Sequence, residues 1–337
     1  MQKKKVLVTG ATGFVGSHIL EALHNASDFH VIAACRDPSR LLPGFQGEVR
    51  QGDIRDNGYL KALFEEVDIV CNAAAWTSVW NHAQASKELF YEPTSTMIDV
   101  ATSAGVERFI QTSSTSVAAP FRSSDPMQPG IQRGIWPHLD NVIAIEDDLR
   151  EKASDQFQVI NLRLGLFAGA RYALGLVPLL LPRLKTHLVP WVNGGRTSMP
   201  IIDGRDVGQA FVSAVRAEGL DHYASFNIVG PTVPTVREVI DFIHETWGYP
   251  KPHFSVPFSL AYPFARIMEL MDPLVPWDPL VTRSIVHLLE EVDVDNQQAI
   301  KQLGYRPQHD WRSALRRQIT EMEQSSRGAM KMARPVT

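Results

Sequence analysis

Three glycines at close spacing mark the first residues able to do chemistry. Thr9-Gly10-Ala11-Thr12-Gly13-Phe14-Val15-Gly16 follows the apolar run Val6-Leu7-Val8 and leads into a helical pattern from Ser17. A strand, a glycine-rich turn and a helix start, in that order, make a cradle for a pyrophosphate. Gly10 can take the positive φ of a tight turn, Gly13 lets main-chain N–H groups approach the phosphates, and Gly16 allows close helix–strand packing. The unpaired N–H groups at the positive end of the helix dipole would face the anion. Gly10, Thr12, Gly13, Phe14, Val15 and Gly16 are therefore the expected dinucleotide-binding edge.

Residues after the later apolar runs extend that site. Arg36-Asp37-Pro38-Ser39-Arg40 follows the second run, where a fold preferring NAD often places a carboxylate for the ribose 2′-OH. An arginine stands first instead. The Arg36 guanidinium can stack on adenine and grip a 2′-phosphate, with Ser39 and Arg40 adding a donor and a second charge. NADP is the expected cofactor, and NAD the alternative if Asp37 binds the ribose. Asp53 can accept from the adenine amino group while Ile54 packs on the ring; otherwise Asp53 caps a turn before Gly58. The small side chains of Ala73, Ala74 and Ala75 would let backbone lie against the cofactor.

Positioning these residues requires a particular scaffold. Short apolar runs at 31–35, 49–51, 69–73, 108–112 and 159–162 alternate with helical patterns, which predicts an α/β fold with a doubly wound parallel sheet. Beyond residue 170 prolines punctuate shorter elements, as expected of a smaller, mostly helical C-terminal lobe. Helical spacing predicts helices over 203–218, 235–247 and 311–322, with Thr235 and Glu238 as a capping box. Residues 325–337 read as a mobile basic tail.

Composition narrows the class. The 337 residues are 44% hydrophobic and 21% charged with a formal net charge of −4, ordinary for a globular chain and unlike a nucleic-acid binder. Cys35 and Cys71 each close a predicted strand without metal-ligand spacing or a disulfide framework, so reduced buried thiols and no metal site are expected. The strand at the amino terminus leaves no room for a signal peptide, and the apolar stretch 173–181 is too short to span a bilayer. A cytoplasmic protein without a membrane span is the expectation.

Taken together, Thr9 to Gly16, Gly52-Asp53-Ile54-Arg55-Asp56, Asn72-Ala73-Ala74-Ala75, Arg108-Phe109-Ile110-Gln111-Thr112-Ser113-Ser114, Asn161-Leu162-Arg163-Leu164-Gly165 and Leu303-Gly304-Tyr305-Arg306-Pro307 resemble the successive signatures of the extended short-chain dehydrogenase/reductase (epimerase/dehydratase) family. The segment 257–289 is more similar to the branch of 3β-hydroxysteroid dehydrogenases and dihydroflavonol reductases. The resemblance implies a Rossmann lobe over 1–169, rejoined by 199–230, and a substrate lobe over 170–198 and 231–324. It also implies homodimers by analogy.

The same family uses a serine, a Tyr-x-x-x-Lys pair and a helical asparagine to exchange a proton with a substrate oxygen. Ser114 falls on the serine. His138, Val142 and Phe90 fall on the tyrosine, lysine and asparagine. Valine cannot bind ribose hydroxyls or lower a neighbour's pKa, so the usual relay is absent. His138, titrating near neutrality, would be the acid or base beside Ser114; the alternative is a packing histidine after Pro137. Thr77, Ser78 and Tyr91 are reserve donors. Trp76, Trp80, Trp136 and Trp191 suggest an aromatic wall for an apolar small-molecule substrate. The expected activity is NADP(H)-dependent chemistry at a carbonyl or hydroxyl; a non-redox cyclase, isomerase or lyase and a silent NADP sensor are the alternatives.

Overall fold

The computed structural model describes residues 3–80, 82–118, 125–171, 175–274, 279 and 281–332. In chain order its strands are β1 (Lys5–Thr9), β2 (His30–Cys35), β3 (Glu48–Gln51), β4 (Ile69–Asn72), β5 (Arg108–Ser114), β6 (Gln158–Leu164), β7 (Leu166–Ala168), β8 (Trp191–Val192), β9 (Ile201–Asp203), β10 (Tyr223–Ile228) and β11 (Ser255–Val256). The helices are α1 (Phe14–Ala26), α2 (Asn57–Leu63), α3 (Ala83–Ser86), α4 (Glu92–Ser103), α5 (Pro137–Lys152), α6 (Leu176–Lys185), α7 (Gly204–Arg216), α8 (Val236–Trp247), α9 (Phe258–Met271), α10 (Arg283–Leu288), α11 (Gln297–Leu303) and α12 (Trp311–Met332).

A two-residue period in the strands decides the layering. Val6 and Val8 of β1 turn to one face of the sheet, where α1 and α7 cover them with Ile19, Leu23, Phe211 and Val215. Leu7 turns to the other, under Leu60, Leu63, Ile98 and Leu149 of α2, α4 and α5. Each such aliphatic taken fully from water contributes roughly 1.5–3 kcal/mol. The seven-stranded sheet runs β3-β2-β1-β4-β5-β6-β10, all parallel. Its order reverses between β1 and β4, where Val8 pairs with both Ala33 and Cys71. The crevice beyond the carboxyl ends of β1 and β4 is the ligand position of such sheets. This is the doubly wound α/β fold expected from the sequence.

β10 supplies the sheet edge next to β6, and β9 pairs with β7. A third core, with Leu181, Leu184, Val239, Ile243, Trp311 and Leu315, joins α6, α8 and α12. Asp203 caps α7 through the Arg205 N–H, and Thr235 with Glu238 closes the capping box of α8. At the carboxyl end the segment from Ser325, read as a tail, continues α12 to Met332, with no proline in it to stop the helix. Residues 333–337 lie outside the described ones. Among the described residues no helix is long and apolar enough to cross a membrane, and no three His, Cys, Asp or Glu cluster as a metal site.

Candidate functional site

At the mouth of β1, Gly10 has φ +62°, and a Cβ there would stand 2.5 Å from the Ala73 carbonyl oxygen. Only glycine lets the two chain segments pass so closely. Ala73 and Ala74 are held in turn by their N–H groups, each donating to Thr9 Oγ1 at 3.3 Å. Gly13 begins α1 without any side-chain cap, so the first N–H groups of the helix meet the crevice. Phe14 and Val15 contribute main chain alone: their side chains are buried in the core, the Phe14 ring 4.9 Å from His18. Ala75 and Gly13 are exposed and Thr12 is half-buried. An open glycine cradle under an uncapped helix fits a dinucleotide pyrophosphate.

The adenosine end is built by short-range contacts. Asp37 Oδ1 accepts from the Ser39 N–H and hydroxyl, capping the turn Pro38–Arg40. Arg36 and Arg40 are exposed, and the Arg36 guanidinium makes no hydrogen bond to another described residue. Asp53 is forked by Arg55 through Nε at 3.0 Å and Nη2 at 2.6 Å, and these bonds hold its carboxyl down at about 2. Oδ1 also accepts the Arg55 main-chain N–H at 3.0 Å, so Oδ2 is the oxygen that keeps a lone pair for a ligand donor. Asp56, not Asp53, caps α2, and Ile54 packs at the edge of the core beside Tyr59.

On the catalytic side, Ser114 ends β5 half-buried, its Oγ accepting the Ser116 N–H at 3.2 Å. Its neighbour Ser113 turns the other way and donates to Glu146. Helix α5 packs on β5 and on the turn Thr115–Ala118, bringing His138 to the same end of the sheet as Ser114. The setting of His138 corrects the sequence expectation. Its ring lies 5.0 Å from Phe90 and 6.0 Å from Trp136, its main-chain N–H donates to His82 Nε2 at 3.3 Å, and its ring Nδ1 is enclosed without a partner. Burial, with a smaller push from His82, lowers its pKa to about 4. His138 therefore stays neutral near pH 7 instead of titrating there.

The neighbouring positions are apolar as well. Val142 is 6% exposed and shares the core of Phe90, Trp136 and Ile143. No described residue restores a lysine there. Trp136 donates from Nε1 to the Ser78 carbonyl at 3.0 Å, Trp76 lies 6.1 Å from His82, and the Trp80 Nε1 is buried without a partner. Trp76 and Trp136 lie at the start of α5. Trp191 does not join them: it is buried in the third core under Arg237. Ser78 is turned back on Trp80, Thr77 is exposed, and the Tyr91 phenol is pushed up by burial and by Asp148.

A polar cluster between the lobes escaped the sequence reading. Tyr262 on α9 donates to Glu290 Oε1 at 2.5 Å, while Glu290 Oε2 lies 3.2 Å from both Arg133 Nη1 and His287 Nδ1. His287 Nε2 reaches the Ser116 carbonyl at 3.3 Å, so the cluster is tied to the turn that follows Ser114. Burial pushes the Glu290 carboxyl up, but bonds from His287 and Tyr262 and the nearby charges outweigh it and leave the pKa lowered. Burial, reinforced by Glu290, raises the Tyr262 phenol. Tyr262 and Glu290, with Arg133, Arg196, Thr197 and Ser259, line a cavity of about 620 Å³. No motif announces these residues. Their one trace is a tyrosine within the apolar run of α9, because the partners come from three separate segments.

Comparison with known proteins agrees with this architecture. The NAD dependent epimerase/dehydratase family matches residues 6–229. The chain is 26% identical over 364 residues to 3beta-hydroxysteroid-dehydrogenase/decarboxylase isoform 2 of Arabidopsis thaliana, covering 96% of this chain and 63% of that protein. It thus spans under two thirds of that relative. It is 24% identical over 313 residues to the 4-hydroxy-2-methyl-3-oxo-4-farnesyl-3,4-dihydroquinoline-1-oxide ketoreductase of Stigmatella aurantiaca, covering 89% of this chain and 91% of that one. The structure of MoeE5 with UDP-glucuronic acid and NAD superposes with a TM-score of 0.70 over 95% of this chain and 99% of that one, at 22% identity. With its parallel sheet, glycine cradle and matched signatures, this chain belongs to the NAD dependent epimerase/dehydratase family.

Proposed function

We propose that the protein is an NADP(H)-dependent enzyme acting on a hydroxyl or carbonyl of a small, largely apolar molecule held between the two lobes. The observation that carries this reading is the open glycine cradle over α1 at the same sheet end as the Ser114 hydroxyl. The cofactor would lie on the main chain from Gly10 to Gly16, with Arg36 and Arg40 toward a 2′-phosphate and Asp53, Ile54 and Ala73 to Ala75 along the adenosine. When bound, it supplies hydride exchange. Ser114 holds the substrate oxygen, and His138, neutral and with its Nδ1 unpaired, is the second group on this side able to exchange a hydrogen bond with the ligand. Tyr262, its phenol kept protonated beside the ionised Glu290, and Arg133 offer polar contacts to the ligand from the other wall of the cleft. The relatives named for a hydroxysteroid and a farnesyl-bearing ring support an apolar substrate.

Val142 favours a second reading, isomerisation or elimination without net redox change, because a buried valine occupies the position at which the resembled family has its lysine. A panel of apolar ketones and alcohols separates the two: redox turnover changes NADPH absorbance with product, whereas isomerisation gives product without that change. For the cofactor, Arg36→Ala should weaken NADP binding roughly tenfold to a hundredfold by calorimetry, the worth of a charge-assisted contact, and leave NAD binding nearly intact. Equal losses for both would overturn the 2′-phosphate assignment.

A further inference from the structure

Helix α9 is apolar on both sides. Its inner face buries Ala261 and Ala265, and Tyr262 reaches the cavity. Its outer face leaves Leu260 62%, Phe264 53%, Ile267 54%, Leu270 61% and Met271 45% exposed, with Leu274 at 81% just beyond. At 3.6 residues per turn the five helical residues fall within an arc of about 120°, broader than the seam of a coiled coil. Six of the eleven exposed large apolar residues among those described lie between 260 and 274. Such a concentration marks a contact surface.

We propose that this face docks on a lipid surface bearing anionic headgroups, with α9 lying in the interface plane. Charge argues for that occupant. The chain carries a net charge of −4, yet Arg266 and Glu269 are the only charges on α9, and Glu269 is buried against Arg283 at 2.6 Å. Arg266 is 54% exposed at the margin of the arc, 3.9 Å from Glu269, and can reach headgroups beside the apolar face. Leu188 and Phe254 are also exposed, at 63% and 51%, three residues from Lys185 and Lys251 in the chain. Lys251 is paired with Asp241, and Lys185 lies over the Tyr249 ring. The segments meet through the stacked rings of His187 and His253, and β11 then leads into α9. A second copy fits less well: a two-fold contact centred on Ile267 would set Arg266 near its twin with no exposed acid on either helix to answer it. At 14 residues α9 is too short to cross a bilayer. The docking goes beyond the proposed activity and holds whatever the ligand of the cavity is.

Co-sedimentation of the full chain with vesicles of phosphatidylcholine alone, or mixed with phosphatidylserine, tests it. The protein should bind the mixed vesicles at least ~10-fold more strongly than the neutral ones, and Phe264→Glu with Ile267→Glu should abolish binding. Circular dichroism checks that the variant is folded, and Leu270→Gln gives a milder second test with a partial loss expected. Ile300→Glu, at an exposed site away from α9, should bind as the parent does. Three results overturn the proposal: no vesicle binding by the parent, unchanged binding by the folded double variant, or a dimer in light scattering that the double variant dissolves while vesicles are ignored.

Discussion

Valine at position 142 removes the charge that would lower a neighbouring acid's pKa, and His138 shows what remains. An imidazole enclosed by Phe90, Trp136 and His82 loses its proton readily, and its folded pKa of about 4 lies below the ordinary 6.5. The unfolded chain therefore binds the proton first as pH falls. The stabilisation is full above pH 6.5 and is lost progressively toward pH 4. Its size is on the order of 2 kcal/mol after discounting for partial solvent access. His18, lowered to about 4 by burial and Arg171, adds an effect of the same sign. His138→Phe should shrink the drop in melting temperature between pH 7 and pH 5, leaving the His18 share. An unchanged drop would mean that His138 is solvated and charged.

Among the elements, α5 is fixed by a buried charge pair and not by apolar packing alone. Arg163 of β6 forks Glu146 through Nε at 3.0 Å and Nη2 at 2.5 Å, both side chains 1% exposed, and Asn161 donates to the same carboxylate at 2.9 Å. Ser113 completes the set. This pair sets the rotation of α5 that places Pro137 and His138 at the sheet end. Arg163→Met would strand a buried carboxylate and should cost about 3–5 kcal/mol in urea unfolding. Adding Glu146→Leu should recover most of that loss, since two well-packed apolar groups replace a desolvated pair. Failure to recover would assign the loss to packing. The five residues Lys87–Tyr91 before α4 adopt a π-helical turn; Pro93, which has no N–H to donate, shifts the ladder just ahead of α4 and delivers Phe90 to the His138 ring.

For the whole molecule, the Tyr262–Glu290–Arg133–His287 cluster is the joint between lobes, uniting α9, α10, the segment before α5 and the turn after Ser114. Glu290→Gln keeps a hydrogen-bond acceptor for Tyr262 but removes the charge that holds Arg133 and His287. It should cost roughly 1–3 kcal/mol, with hydrogen-exchange protection falling in α9 and α10 while β1 to β5 stay protected. A uniform loss of protection would mean the lobes unfold as one unit and the joint has no local role.

The sheet, the glycine cradle and the capping box of α8 were legible from residues 6–16, the alternating apolar runs and Thr235 with Glu238, because each depends on neighbours a few positions away. The place of Ser114 at the end of β5 and the absence of a Tyr-x-x-x-Lys pair were legible for the same reason. The protonation of His138, the diversion of Trp191 into another core, the Tyr262–Glu290 joint and the bare outer face of α9 were not. A pKa, a cavity and an exposed face are set by what packs against a residue from distant segments, and sequence spacing carries no measure of that enclosure.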